Sequence, residues 1–244
     1  MVLVSHRYKF IMVGGKKVAS TTVMSFFERF CLPEDQEETH VAKCETALIT
    51  TKAGFIGARP SEKGLTPVIV DDSGKQGTLR CPKGMNIADF ANSIPGAYSH
   101  LPLSKLLTTP YIDILYKQVK QYFKFTVVRN PWDVQVSMYH YVAKNTGEPF
   151  DHFIRRMCTD NSEVYSLNGK PACDYYIRYE ALEDGLRHVC ATLGIPFEKY
   201  HVPNHRANKA ARIDRDYRKY YTDELREYVA RKCAVEIEMF GYTF

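Results

Sequence analysis

The chain has 244 residues, of which 45% are hydrophobic and 25% charged, and its formal net charge at pH 7 is +5. These values are ordinary for a globular protein, and the length suffices to bury one sizeable core. The mild positive charge is spread along the chain, which suits an anionic cofactor but does not indicate a nucleic-acid partner.

The sequence also gives no indication of a membrane protein or of a metal-binding protein. No stretch approaches 18 consecutive apolar residues, and the N-terminus lacks a signal-peptide pattern, so we expect no membrane partner and a cytoplasmic location. The seven cysteines are scattered, without a C-x-x-C pair or a Cys/His cluster. They predict reduced residues, mostly in the core, and neither a disulfide framework nor a metal site.

The first predicted element is a strand that leads into a helix through a polar loop. The apolar run at 10–13 predicts a buried strand, and the glycine pair at 14–15 ends it. Lys16 and Lys17 follow, then three hydroxyl residues and a helical apolar face at 23–30. Because the N-terminus of a helix presents unpaired N–H groups and a positive dipole end, this order predicts an anion site.

The spacing of this loop does not fit an ATP-binding P-loop. Counted from Gly14, the pattern G-x-x-x-x-G-K-[ST] requires a glycine at position 19 and a lysine at position 20. The sequence has Ala19 and Ser20 there, and its lysine stands three residues before the serine. An ordinary strand-to-helix turn with a capping hydroxyl remains an alternative at this point.

The middle of the chain predicts fewer elements. Strands are expected within 41–51 and at 66–70, and helices at 86–92 and 111–122.

A second strand, at 123–128, ends in an arginine. Arg129 is therefore expected at the carboxyl end of a strand, where open α/β sheets bind ligands. Asn130 and Pro131 predict the start of a helix, and Ser137 lies two turns into it. An arginine in a structural ion pair is the alternative.

The remaining elements are helical. Helices are expected at 149–157, at 179–193 and after Thr222, and the polar stretch 158–173 is expected to be a loop.

Both polar loops resemble motifs of sulfotransferases that use 3′-phosphoadenosine 5′-phosphosulfate (PAPS). The first resembles P-K-x-[GA]-[ST]-[TS], and the second resembles R-[ND]-P-x-[DE]-x-x-x-S. The stretch 174–182, with its Arg-Tyr-Glu, resembles another family segment. The tail from 220 resembles that of the carbohydrate, Golgi-like type and its soluble bacterial relatives, so the resemblance spans nearly the whole chain.

The resemblance implies a single α/β domain over 1–244, with a central parallel sheet flanked by helices and a topology like that of P-loop NTPases. It implies transfer of a sulfuryl group from PAPS to a hydroxyl or amine of a saccharide, with release of 3′-phosphoadenosine 5′-phosphate (PAP) and no need for a metal. A small natural product, such as an alkaloid or another secondary metabolite, is the alternative acceptor. A P-loop kinase and a non-catalytic nucleotide-binding protein are remote alternatives.

The resemblance also assigns roles to residues. Lys17 would neutralise charge on the bridging oxygen, while Arg129 and Ser137 would hold the 3′-phosphate. Arg206 and Lys209 would lie on a loop that closes over the nucleotide, although a solvated loop is equally consistent with the sequence. The 5′-phosphate would be held by the first loop: Lys16, Lys17, Val18, Ala19, Ser20, Thr21 and Thr22.

The catalytic base is expected to be His100, which precedes the helix leading into the second strand, as a histidine does in resembling enzymes. Glu38 and His40 are the alternatives. Lys16 stands where the family has proline, so the two lysines could exchange roles. Ala19 replaces the commoner glycine.

Overall fold

The computed structural model describes residues 2–31, 103–104, 120–143, 146–202 and 216–244, together with the backbone of Val119 and of four strands between residues 47 and 78. In these residues eight strands form one sheet, in the order β10-β7-β2-β1-β4-β3-β5-β6, and β8 pairs with β9 separately. The strands are β1 (Val2–Ser5), β2 (Phe10–Val13), β3 (Ala47–Thr50), β4 (Gly54–Ile56), β5 (Thr66–Val70), β6 (Gln76–Thr78), β7 (Phe123–Val128), β8 (Ser166–Leu167), β9 (Lys170–Pro171) and β10 (Tyr175–Arg178).

The expected α/β class is confirmed, and the three strands nearest the polar loops are parallel. Strand β7 pairs in parallel with β2 on one side and with β10 on the other. Their carboxyl ends therefore meet at one edge of the sheet. The sheet as a whole is mixed, since β1 runs antiparallel to both β2 and β4. A four-residue connection joins β1 to β2, which is too short for the crossover that a parallel pair requires.

The helices of the described residues are α1 (Ser20–Phe27), α2 (Pro131–Val142), α3 (Phe150–Arg156), α4 (Ser162–Tyr165), α5 (Leu182–Leu193), α6 (Asp223–Lys232) and α7 (Ala234–Phe240). Two expectations are corrected. The stretch 158–173 contains α4 and the β8–β9 hairpin in addition to loop, and the expected last helix is two helices, which meet at Cys233. The described end of the expected helix 111–122 is a 3-10 turn, Val119–Gln121.

Alternate residues of the central strands supply two cores. Phe10 and Met12 of β2 pack with α1 and α5 on one face of the sheet. Ile11 and Val13 pack with residues of α4 and α7 on the other. Helices cover both faces of β2, which explains why this strand is a continuous apolar run rather than an alternating one. The expectation of a single domain over 1–244 stays a prediction.

Candidate anion-binding site

The loop between β2 and α1 carries the backbone geometry of the site. Lys17 and Ala19 both have left-handed backbones, with φ of 61° and 66°. This conformation is unfavourable for residues that have a Cβ, so the surrounding contacts must hold it. One such contact is the Ser20 hydroxyl, which donates to the Gly15 carbonyl oxygen at 2.7 Å.

Helix α1 begins at this loop without a side-chain cap. Its N-cap residue is Ala19, whose methyl group cannot accept a hydrogen bond, and the first turn contains no acidic residue. Thr21 and Thr22 are half-buried in that turn, whereas Ser20 is buried. The positive end of the helix dipole is therefore not offset locally by a carboxylate, which favours an anion at this end.

The two lysines of the loop differ in their surroundings. The Lys16 side chain is exposed, and the backbone of Lys16 is hydrogen-bonded to the Asn161 side chain. The Lys17 side chain is half-buried, with its ammonium nitrogen 4.1 Å from the centre of the Tyr141 ring. Of the two, Lys17 is the one whose ammonium is held over a neighbouring side chain.

Arg129 joins the two polar loops. Its Nη1 donates to the Lys17 carbonyl oxygen at 2.8 Å, so motifs 112 residues apart in sequence are in direct contact. Its Nε and Nη2 lie 2.8 and 2.6 Å from one carboxylate oxygen of Asp133, and its guanidinium lies 4.0 Å from the centre of the Tyr179 ring. Only 5% of Arg129 is exposed. The ion pair weighed as an alternative is thus present, and a role in binding a 3′-phosphate stays a prediction.

Helix α2 starts as the sequence indicated. The Asn130 side chain accepts a hydrogen bond from the Trp132 N–H, and Pro131 occupies the first helical position. Asn130 also donates to the Thr243 carbonyl oxygen, which brings the C-terminal tail to the site. Ser137 is buried on this helix, with 4% of its surface exposed.

The structure places part of the predicted site. Lys17 and Arg129 are brought into contact, and Ser137 lies on the helix that follows Arg129. Five predicted residues lie outside the described part of the chain: Glu38, His40, His100, Arg206 and Lys209. The choice among the three candidate bases therefore stays a prediction.

The sequence assigned no role to three further residues of the site, although one of them, Tyr179, lies in the Arg-Tyr-Glu segment. Asn161 bonds to the first loop, Tyr141 lies under the Lys17 ammonium and Tyr179 stacks on Arg129. Tyr141 lies four residues after Ser137, one helical turn away, and this spacing could have signalled it. Asn161 belongs to a polar stretch without periodicity and had no such signal.

The described residues contain neither a candidate metal cluster nor a helix that could span a membrane. No group of three His, Cys, Asp or Glu side chains in that part of the chain could hold a metal ion. None of the helices described there is long and apolar enough to cross a membrane.

The sequence matches neither a protein-family model nor a curated protein. Among solved structures, the fold is similar to the crystal structure of mouse sulfotransferase SULT7A1 complexed with PAP, with a TM-score of 0.44 and 17% sequence identity over 96% of this chain and 84% of that one.

Proposed function

We propose that this protein is a sulfotransferase that moves the sulfuryl group of PAPS to a hydroxyl or amine acceptor and releases PAP. The observation that carries the proposal is the contact between Arg129 and the Lys17 carbonyl oxygen. It joins a lysine-bearing anion loop to an arginine at the end of the neighbouring parallel strand. Two cationic side chains and an uncapped helix N-terminus then surround one edge of the sheet, which suits a ligand with two separate phosphate groups.

The residues of the first loop fit the 5′ end of such a ligand. In the proposed complex, the N–H groups of the first turn of α1 and the hydroxyl groups of Thr21 and Thr22 bind the 5′-phosphate, and the Ser20 hydroxyl joins them by turning away from the Gly15 carbonyl oxygen. Lys17 lies nearest the bond that breaks. Because the N–H groups of the helix are held in place before the ligand arrives, they stabilise developing charge without reorganising during the reaction.

The proposed chemical step requires no metal. The acceptor oxygen or nitrogen attacks sulfur, and the bond between sulfur and the bridging phosphate oxygen breaks. The electron pair of that bond leaves with PAP, whose new charge Lys17 offsets. The acceptor proton passes to a base, for which His100 is proposed, with Glu38 and His40 as alternatives.

The 3′-phosphate is proposed to bind at Arg129 and Ser137, with Arg206 and Lys209 closing over the nucleotide. Arg129 already forms an ion pair with Asp133, which fixes the plane of its guanidinium. A guanidinium has five N–H donors, so an arginine can serve a carboxylate and a phosphate together. The proposed acceptor is a saccharide or a small natural product, the enzyme is proposed to act in the cytoplasm, and the domain is proposed to span 1–244.

Thermal unfolding of the full chain with PAP, with adenosine 5′-phosphate and with ATP plus Mg²⁺ tests the proposal. A ligand present at about 100 times its Kd adds about 2.7 kcal/mol to the free energy of unfolding. We expect PAP to stabilise the protein more than adenosine 5′-phosphate, because only PAP carries the 3′-phosphate. Stabilisation by ATP plus Mg²⁺ alone would instead support a P-loop kinase and overturn the proposal.

A further inference from the structure

One buried side chain from outside both motifs is hydrogen-bonded to the loop between β2 and α1. Asn161, which is 1% exposed, lies just before α4. Its Oδ1 accepts a hydrogen bond from the Lys16 N–H at 2.7 Å, and its Nδ2 donates to the Lys16 carbonyl oxygen at 3.1 Å. Both polar groups of the amide thus form hydrogen bonds with the backbone of a single residue. They occupy the N–H and the carbonyl oxygen of Lys16, the two groups that a neighbouring strand would otherwise pair with.

The loop approaches Asn161 closely at a glycine. A Cβ added at Gly15 would lie 3.1 Å from Asn161 Oδ1 and 3.3 Å from Val18 Cγ2. Such a contact is tighter than a Cβ ordinarily makes, so a side chain at position 15 would push the loop and the amide apart. Gly15 is therefore part of the same arrangement.

Asn161 is itself held from the other side by a buried carboxyl group. Its backbone N–H donates to Glu236 Oε2 at 3.2 Å, and the Tyr165 hydroxyl donates to Glu236 Oε1 at 2.7 Å. Glu236 belongs to α7 and is 2% exposed. A chain of hydrogen bonds thus runs from α7 through Asn161 to the loop.

We propose that Asn161 is a positioning residue for the anion loop, and that Glu236 holds Asn161 in place. The Lys16 peptide, fixed by Asn161, directly precedes Lys17, whose left-handed backbone is unfavourable by itself. Asn161 holds the chain just before that turn, and Arg129 holds the Lys17 carbonyl oxygen just after it. Lys17 and the first turn of α1 are thereby oriented before any ligand binds, which lowers the cost of binding.

Hydrogen exchange of the Lys16 N–H in the full chain, without nucleotide, tests this inference first. We expect Asn161→Ala to speed exchange of this amide about tenfold or more, the scale expected for the loss of one or two intramolecular hydrogen bonds. The control is Ser162→Ala, which removes the neighbouring buried hydroxyl that bonds only to Asp160 among the described residues. The Ile195 N–H, which donates to the Cys190 carbonyl oxygen at 2.8 Å, should be unaffected by either change.

PAP affinity, measured by calorimetry, is the second arm and rests on the proposed function. Asn161→Ala should raise the Kd of PAP about tenfold, whereas Ser162→Ala should leave it unchanged. Should Asn161→Ala fail to fold, Gly15→Ala approaches the same contact from the loop and should change both measurements in the same direction.

The outcomes separate the two proposals. Equal Lys16 exchange in Asn161→Ala and Ser162→Ala would overturn the positioning role, whatever PAP does. Faster exchange with an unchanged Kd would also overturn it, because the loop would then be loosened without consequence for the ligand. A wild-type protein that does not bind PAP, with fast exchange in Asn161→Ala, would overturn the proposed function but support the loop contact.

Discussion

The left-handed backbone of Ala19, at the start of α1, provides a test of backbone strain. Ala19 has a φ of 66°, a region in which a Cβ is unfavourable and glycine is not. We expect Ala19→Gly to raise the free energy of unfolding by about 0.5–1 kcal/mol, measured by urea denaturation. In the control, Ala230→Gly in α6, the same change in an ordinary helical backbone should lower it by about 1 kcal/mol. A loss of stability in Ala19→Gly would show that the methyl group contributes packing that outweighs the strain.

Lys17 provides a test of the proposed chemistry. We expect Lys17→Ala to abolish PAP release from PAPS while largely preserving PAP binding, because its charge is needed chiefly when the sulfur–oxygen bond breaks. Lys16→Ala is the matched control and should retain turnover, since the Lys16 side chain is exposed. Turnover lost in the Lys16 variant and retained in the Lys17 variant would assign the role to Lys16.

Arg129 provides a test that distinguishes a structural role from a role in binding the 3′-phosphate. Arg129→Ala should cost about 3 kcal/mol of stability, because the Asp133 carboxylate, whose side chain is 14% exposed, would lose its partner. If Arg129 also binds the 3′-phosphate, the preference for PAP over adenosine 5′-phosphate should disappear. Asp133→Asn also breaks the ion pair but keeps the guanidinium, so it should retain that preference. A preference that survives in Arg129→Ala would leave this arginine with a structural role only.

At the scale of elements, α5 lies against β10 at a glycine. A Cβ added at Gly185 would lie 2.6 Å from Ile177 Cγ2, which is closer than packed atoms tolerate. We expect Gly185→Ala to lower the free energy of unfolding by about 1–3 kcal/mol, since the helix must move away from the strand. Thr192→Ala, on the exposed side of the same helix, should change it by less than about 0.5 kcal/mol in the same urea titration. Equal values for the two variants would contradict the close packing of α5.

The elements that could be predicted are those with local signals. The strand at 10–13, the helix that starts at Asn130 and Pro131 and the helix expected at 179–193 were each indicated by neighbouring residues, and the structure contains β2, α2 and α5 in these stretches. The stretch 158–173 was expected to be a loop because its residues are mostly polar. There α4 is only four residues long, too short to show a period. Its Asn161 matters through a contact 145 residues away, which a local pattern does not reveal.

At the scale of the whole molecule, the site is assembled from distant parts of the chain. The Asn130 N–H donates to Glu180 in the 3-10 turn after β10, and the Asn130 side chain donates to the Thr243 carbonyl oxygen. The Phe244 ring lies edge-on to Trp132, 5.5 Å between centres. The sequence predicts Arg129 at the carboxyl end of a strand, and the parallel pairing of β2 with β7 brings the first loop to the same sheet edge. The position of the tail depends on packing between separate helices, which no local pattern in the sequence indicates.

The buried carboxyl group of α7 provides a test at this scale. Burial is the largest influence on Glu236 and raises its pKa from 4.5 to about 7, opposed by the hydrogen bonds from Tyr165 and Asn161. The other titratable groups that interact with it are Cys158, Asp160, Cys233 and Tyr242. In the unfolded chain this carboxyl group regains its ordinary pKa, so it is a proton-dependent contributor to stability.

The sign follows from the proton balance. Between pH 4.5 and about 7 the unfolded chain has lost this proton while the folded chain keeps it. The unfolded state then binds fewer protons, and the free energy of unfolding falls as pH rises through this window. The decline levels off above the folded pKa and amounts to about 3 kcal/mol at most.

Urea denaturation at about pH 5 and about pH 8 measures this decline, with Glu236→Gln as the matched variant. Glutamine keeps an oxygen to accept from Asn161 and an amide to donate to the Tyr165 hydroxyl oxygen, but it does not ionise in this range. The wild-type protein should therefore lose more stability between the two pH values than Glu236→Gln does. Parallel losses in the two proteins would show that Glu236 ionises alike in the folded and unfolded chains.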